Sequence, residues 1–210
     1  MMKYLVTGAA GFIGGHIAHT LAASGHEVTG VDIKPFATTH PFQSVTMSIE
    51  DKNSLTPHVT DCDGIFHMAA IASVPKTFED PEGSYAVNVT GTRNVFQAAL
   101  DAGNIPVVYA SSAAIYGDND ALPLKEIEAP KPMSPYAEHK LQNEKDAKEF
   151  GKRGLPSFGL RFFNIYGPGQ DPSSPYSGVI SIFIDQIKEK KTVTINGGYQ
   201  TRDFIYVDDI

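Results

Sequence analysis

The chain has 210 residues, 41% of them hydrophobic and 20% charged, the balance of an ordinary globular protein with room for one good core. Its net charge of −7, with no Lys/Arg cluster, argues against a nucleic-acid partner, and no apolar run approaches the roughly 20 residues of a membrane span. A single cysteine, Cys62, excludes an internal disulfide and any multi-cysteine metal site; with no signal-peptide pattern at the start, the default compartment is the cytoplasm.

Taken in chain order, residues 3–7 predict a first strand that runs into Gly8-Ala-Ala-Gly11-Phe12-Ile13-Gly14. A helix over 12–24 follows, with Ile13, Ile17 and Leu21 on one stripe. Turns and close packing alone can call for such glycines. Between a strand and a helix, however, a glycine-rich loop also turns backbone N–H groups and the positive end of a helix toward a pyrophosphate. A second strand, 27–32, ends in Asp32, where a carboxylate accepts from a ribose 2′-OH and repels a 2′-phosphate. The pair therefore points to NAD rather than NADP. After a third strand at 44–47, Asp51 has two readings, an adenine contact or the N-cap of a helix over 52–57.

Strands at 64–67, 107–111 and 157–163 alternate with helices at 81–102 and 135–150. That alternation predicts a doubly wound α/β fold, a parallel sheet covered on both faces, with a dinucleotide-binding domain over 1–163. His67 closes one strand and reads as a structural histidine. His16 and His19 on the first helix lack a third ligand, so no metal is expected. Ser111 and Ser112 end the fifth strand, on the edge where such sheets bind ligands. Ser134-Pro135 marks a helix start and puts Tyr136 at its mouth. Lys140, four residues on, shares that face, and a cation there should lower the phenol's pKa toward the range of a general base.

Beyond 163 the character changes. Gly167-Pro168-Gly169 and the prolines of 172–175 predict loop; a helix over 179–190 and strands at 192–195 and 203–206 predict a small second lobe over 164–210. The end, Val207-Asp208-Asp209-Ile210, reads as a helix cap without its helix, so the lobe is expected to be truncated.

Seven blocks occur in order: Thr7-Gly-Ala-Ala-Gly-Phe-Ile-Gly14, His67-Met-Ala-Ala70, Asn88-Val-Thr-Gly-Thr-Arg-Asn94, Ser111-Ser-Ala-Ala-Ile-Tyr-Gly117, Tyr136-x-x-x-Lys140, Arg161-Phe-Phe-Asn-Ile-Tyr-Gly-Pro168 and Arg202-Asp-Phe-Ile-Tyr-Val-Asp-Asp209. In these the whole chain resembles the extended short-chain dehydrogenase/reductase family, in its nucleotide-sugar epimerase/dehydratase branch. The blocks at 73–76 and 175–183 look most like UDP-glucose or UDP-N-acetylglucosamine 4-epimerases.

The resemblance implies a Rossmann-type fold that holds NAD through Gly8, Gly11, Phe12, Ile13, Gly14, Asp32, Asp51, Ala69, Ala70, Asn88, Tyr136 and Lys140. It implies catalysis by Ser112, Tyr136 and Lys140, and a UDP-sugar held by Ser111, Ser112, Tyr136, Asn164 and Arg202. It also implies a homodimer paired through the helices at 81–102 and 135–150. Relatives that eliminate water or decarboxylate usually carry an acidic residue just after the serine. Here Ala113 and Ala114 follow, which favours 4-epimerisation. The alternatives are another NAD-dependent dehydratase or dehydrogenase of nucleotide sugars, or an NAD-binding module with little activity.

Overall fold

The structure is a computed structural model describing residues 1–36, 39–172, 178–195 and 197–210. By internal contacts the chain divides into two compact units, Met1–Arg161 and Phe162–Ile210.

The first unit is built on strands β1 (Lys3–Thr7), β2 (Glu27–Asp32), β3 (Gln43–Thr46), β4 (Gly64–His67), β5 (Val107–Ser112) and β6 (Ser157–Phe162). They hydrogen-bond in the order β3-β2-β1-β4-β5-β6, and β1, β2, β3, β4 and β5 pair in parallel. Alternation along β1 explains the two-sided core: Leu5 and Val6 are both fully buried, but in different clusters. Leu5 packs with Val31, Ile65 and Val107 under Leu55 of α2 (Lys52–Val59), Phe96 of α5 (Thr92–Asp101) and Ala147 of α6 (Pro135–Lys152). Val6 packs with Val28 and Phe42 under Ala18 and Leu21 of α1 (Phe12–Ala23). Helices on both faces make the sheet doubly wound, as the alternating pattern predicts. The strand order reverses between β1 and β4, and the carboxyl ends of those strands flank a crevice.

Several expectations are corrected. The helix over 81–102 is not continuous. It begins as α4 (Pro81–Tyr85), loosens into a π-turn over Ala86–Gly91, and resumes as α5. At that turn the Thr92 hydroxyl donates to Asn88 O at 2.7 Å, and a Cβ on Gly91 would lie 2.7 Å from Ile49 Cδ1. A short helix α3 (Val74–Glu79), capped by Ser73, is an addition to the predicted elements, because so short a helix shows little periodicity.

In the second unit, β7 (Asn164–Tyr166) and β8 (Phe204–Tyr206) form a parallel pair, accompanied by α7 (Val179–Lys188). A short strand, β7, thus precedes the loop predicted from 167, ordered by a partner far along the chain. No strand forms at 192–195: among the described residues the segment has no pairing neighbour, and Ile195 is exposed. Residues 173–177, within the Pro175-containing block, lie outside the described residues. Among the described residues no helix is long and apolar enough to cross a membrane.

Candidate active site

The crevice at the strand reversal holds a cavity of about 430 Å³, lined among others by Gly8, Gly11, Asp32, Lys34, Ala69 and Ala70. At two glycines of its loop there is no room for a side chain. Gly8 has φ +73°, and a Cβ there would lie 2.8 Å from Ala69 N. One on Gly14 would lie 2.2 Å from Gly8 O. Helices α2, α3, α4 and α6 each receive a side-chain cap, from Asp51, Ser73, Asp80 and Ser134. Helix α1, which opens from this loop, has neither a side-chain cap nor an acid in its first turn. Its N–H groups are left for an anion. Asp32 is oriented at the rim, with Oδ2 accepting Ala10 N at 3.0 Å and Oδ1 accepting Lys34 N at 2.9 Å. Glycine cradle, uncapped helix and aimed carboxylate together fit a dinucleotide.

At the carboxyl end of β5 stand Ser112, Tyr136 and Lys140. Ser112 Oγ accepts Ala114 N at 3.1 Å, capping the 3₁₀ turn Ala113–Tyr116, so its proton is directed elsewhere, and its side chain is near enough to Tyr136 to favour the ionised phenol. Lys140 is only 4% exposed, donates to Ala110 O at 2.6 Å, and lies 5.8 Å from the Tyr136 ring centroid. The expected lowering of the phenol's pKa is not found. Burial pushes the Tyr136 phenol above its ordinary value, with the Ser112 hydrogen bond pulling partly back, while Lys140 is engaged with a carbonyl.

Burial also pushes the Lys140 ammonium down to about 8 from 10.5. Its folded pKa lies below its unfolded one, so the unfolded chain holds more protons in that window and stability rises with pH across it. Comparing melting temperatures of the parent and Lys140→Met by calorimetry, the parent should gain on the variant as pH climbs from about 8 toward 10.5. A difference that stays constant with pH would show that Lys140 does not titrate there.

Other predicted residues are engaged away from the cavity. Ser111 is buried and donates to Glu144 Oε1 at 2.6 Å, so its hydroxyl faces helix α6 rather than a ligand. Asp51 accepts Asn53 N and Ser54 N at 3.0 and 3.2 Å; of its two readings the structure takes the helix cap. Asn88 is buried and clasps Ile71, accepting its N–H at 2.7 Å and donating to its carbonyl at 3.1 Å, so it bears on the cleft wall through the backbone. Phe12, Ile13 and Gly14 form the first turn of α1 and are not among the residues lining the cavity, so what they offer a ligand is their backbone N–H groups.

His67 is buried between Thr7 Oγ1 at 2.7 Å and Thr92 Oγ1 at 2.9 Å. Thr92 gives its proton to Asn88 O, so His67 must donate from Nε2 and accept at Nδ1. Burial, aided by the Lys140 charge, pushes its pKa down to about 3 and keeps it neutral. Thr7 Oγ1 in turn accepts Ala69 N at 3.2 Å, so the chain of bonds ends on the cleft wall. His19 Nδ1 donates to Gly15 O at 2.8 Å, and His19 Nε2 lies 3.2 Å from His40 Nδ1.

In the second unit Arg202 is exposed and lines a cavity of about 650 Å³ with Phe183, Gln186 and Phe204. Gln186 Oε1 is buried there with no hydrogen-bond partner among the described residues. Asn164 donates to Asp203 O at 2.9 Å.

Residues 4–210 match the model of the NAD dependent epimerase/dehydratase family. The chain is 38% identical to a UDP-N-acetyl-alpha-D-glucosaminuronate decarboxylase of Bacillus cytotoxicus, over 99% of its own length and 68% of the relative's. It is 35% identical to a putative UDP-glucose 4-epimerase of Methanocaldococcus jannaschii, over 98% of this chain and 70% of that one. Its fold is similar to that of the Thermotoga maritima UDP-glucose 4-epimerase solved with UDP-glucose. There the TM-score is 0.93 at 33% identity, covering 99% of this chain and 70% of that structure.

Proposed function

Because this chain belongs to the NAD-dependent epimerase/dehydratase family, we propose that it is a nucleotide-sugar 4-epimerase, inverting C4 of a UDP-hexose through a transient 4-keto sugar. The observation that carries this reading is the Ser112–Tyr136–Lys140 set, with Ala113 and Ala114 rather than an acid after the serine. Loss of water across C5 and C6 needs a further acid and base, and that turn offers neither.

NAD, when bound, supplies a reversible acceptor for the electrons of the C4–H bond. Gly8, Gly11 and the N-terminus of α1 would hold its pyrophosphate, Asp32 its adenosine ribose, and Ala69 and Ala70 the wall of its cleft. Tyr136 takes the proton of the C4 hydroxyl and later returns it. Ser112 hydrogen-bonds the same oxygen, and Lys140 stabilises the phenolate charge as it develops. Arg202, with a planar fork suited to phosphate oxygens, and Asn164 would hold the UDP diphosphate, making residues 164–210 the substrate lobe. In this reading the enzyme is a cytoplasmic homodimer paired through α5 and α6.

Incubated with NAD and UDP-glucose or UDP-N-acetylglucosamine, the protein should yield an isomer of unchanged mass, with NAD returned oxidised. The decarboxylase relative favours one other reading, loss of carbon dioxide from a UDP-hexuronate. A product lighter by water or carbon dioxide would overturn epimerisation in favour of dehydration or decarboxylation. NAD binding without UDP binding, by calorimetry, would instead mark a module lacking a working substrate lobe.

A further inference from the structure

Helix α6 presents Tyr136, Lys140 and Glu144 four residues apart on one face. Two of them bond the end of β5, Lys140 Nζ to Ala110 O at 2.6 Å and Glu144 Oε1 to the Ser111 hydroxyl at 2.6 Å, and Tyr136 lies near enough to Ser112 for that side chain to favour its ionised form. The first two rungs belong to the proposed chemistry. The third is a carboxylate with no role in it, yet it is more firmly held than either.

Arg161, from β6, grips Glu144 with both teeth of its fork: Nε donates to Oε1 at 2.8 Å and one terminal nitrogen to Oε2 at 2.7 Å. The same guanidinium donates to Glu126 O at 3.2 Å and lies 4.8 Å over the Tyr116 ring. The Arg161 and Glu144 side chains are 19% and 14% exposed. At that depth an ion pair stabilises a fold only modestly against an apolar pair of the same volume, but its two-point geometry tolerates little sliding.

We infer that Glu144, clamped by Arg161, is a positioning residue that sets the register of α6 against β5 and so holds Tyr136 on Ser112. Ser111 and Ser112 are neighbours, so anchoring the Ser111 side chain fixes the backbone from which Ser112 projects. Farther along, α6 meets β5 through apolar packing, Ala147 sharing a core cluster with Val107 and Tyr109, and such packing sets register less sharply than a two-point polar clamp. The inference rests on the functional reading of Tyr136 and Ser112 given above. Its test does not depend on turnover.

The readout is the ionisation of the Tyr136 phenol, isolated as the ultraviolet titration difference between each protein and its Tyr136→Phe counterpart. The Ser112 hydrogen bond lowers that pKa. In Glu144→Ala the value should therefore rise by about one unit, the worth of one hydrogen bond to a charged group. Glu144→Gln keeps an acceptor for Ser111 but loses the charge pair; it should give a smaller rise, and it carries the test if the alanine variant does not fold. In UDP-hexose turnover, kcat should fall about tenfold with KM little changed, since Asn164 and Arg202, the proposed diphosphate ligands, are untouched. An unshifted phenol in both variants overturns the inference, even if melting temperatures fall. A shifted phenol in a protein that turns over no UDP-hexose would uphold the positioning role and sink the epimerase reading instead.

Discussion

Tyr136→Phe is expected to lower UDP-hexose interconversion by about 10²–10⁴-fold while leaving NAD affinity within a few-fold of the parent. The substitution removes one oxygen. The ring stays, and with it the contact to Lys140 and the packing at the head of α6. What goes is the group that exchanges a proton with the C4 hydroxyl and the partner of Ser112. Cofactor affinity should survive because the glycine loop, Asp32 and the Ala69–Ala70 wall line a cavity in which the phenol takes no part. Isomer formation followed by mass-neutral separation of products, with calorimetry for NAD, reads both quantities. A variant within tenfold of parental turnover would remove Tyr136 from the chemistry. Loss of NAD binding as well would make it a cofactor ligand first.

How much of the fold is legible in the sequence depends on how local each signal is. β1, β2 and β4 end where predicted, because each is a short apolar run that must be buried on both faces and is closed by a turn. The start of α6 at Pro135 is legible for the same reason: a Ser-Pro cap is a contact between residues three apart. The departures are non-local. β7 exists only because β8 pairs with it across some forty residues of chain. The π-turn depends on Asn88 clasping Ile71 and Gly91 lying against Ile49, neither of which any periodicity encodes.

Site residues divide in the same way. Asp32 and the Tyr136–Lys140 spacing stand out because their geometry is carried by one strand end and one helix face. Ser111 resembles a substrate ligand because it adjoins Ser112, but its partner Glu144 comes from α6. The signal for Glu144 is present in the sequence, one further helical turn beyond Lys140. Only the grip of Arg161, from a distant strand, gives it meaning. The lowered tyrosine pKa does not hold, for an energetic reason: i, i+4 spacing predicts proximity, whereas burial and the Ala110 carbonyl decide where the charge is felt.

The sharpest test of the phosphate loop compares adjacent glycines. Gly14→Ala should abolish measurable NAD binding and destabilise the protein by about 3 kcal/mol or more, whereas Gly15→Ala should leave both nearly unchanged. Both sit in the first turns of α1, so helix propensity favours alanine at each by up to about 1 kcal/mol. The surroundings separate them. A Cβ on Gly14 would lie 2.2 Å from Gly8 O and 2.6 Å from Gly8 C, backbone atoms of the very turn that must approach the pyrophosphate. One on Gly15 meets only Ala9 O, at 3.3 Å, which a shift of a few tenths of an ångström relieves. Gly8 cannot retreat to make room, because at φ +73° it is itself packed on the backbone of Met68 and Ala69. Helix α1 must therefore lift from β1, taking its uncapped N–H groups away from the ligand. Thermal melts and NAD calorimetry on the two variants decide it. If Gly14→Ala binds NAD as well as Gly15→Ala does, the loop is a packing device and the pyrophosphate lies elsewhere.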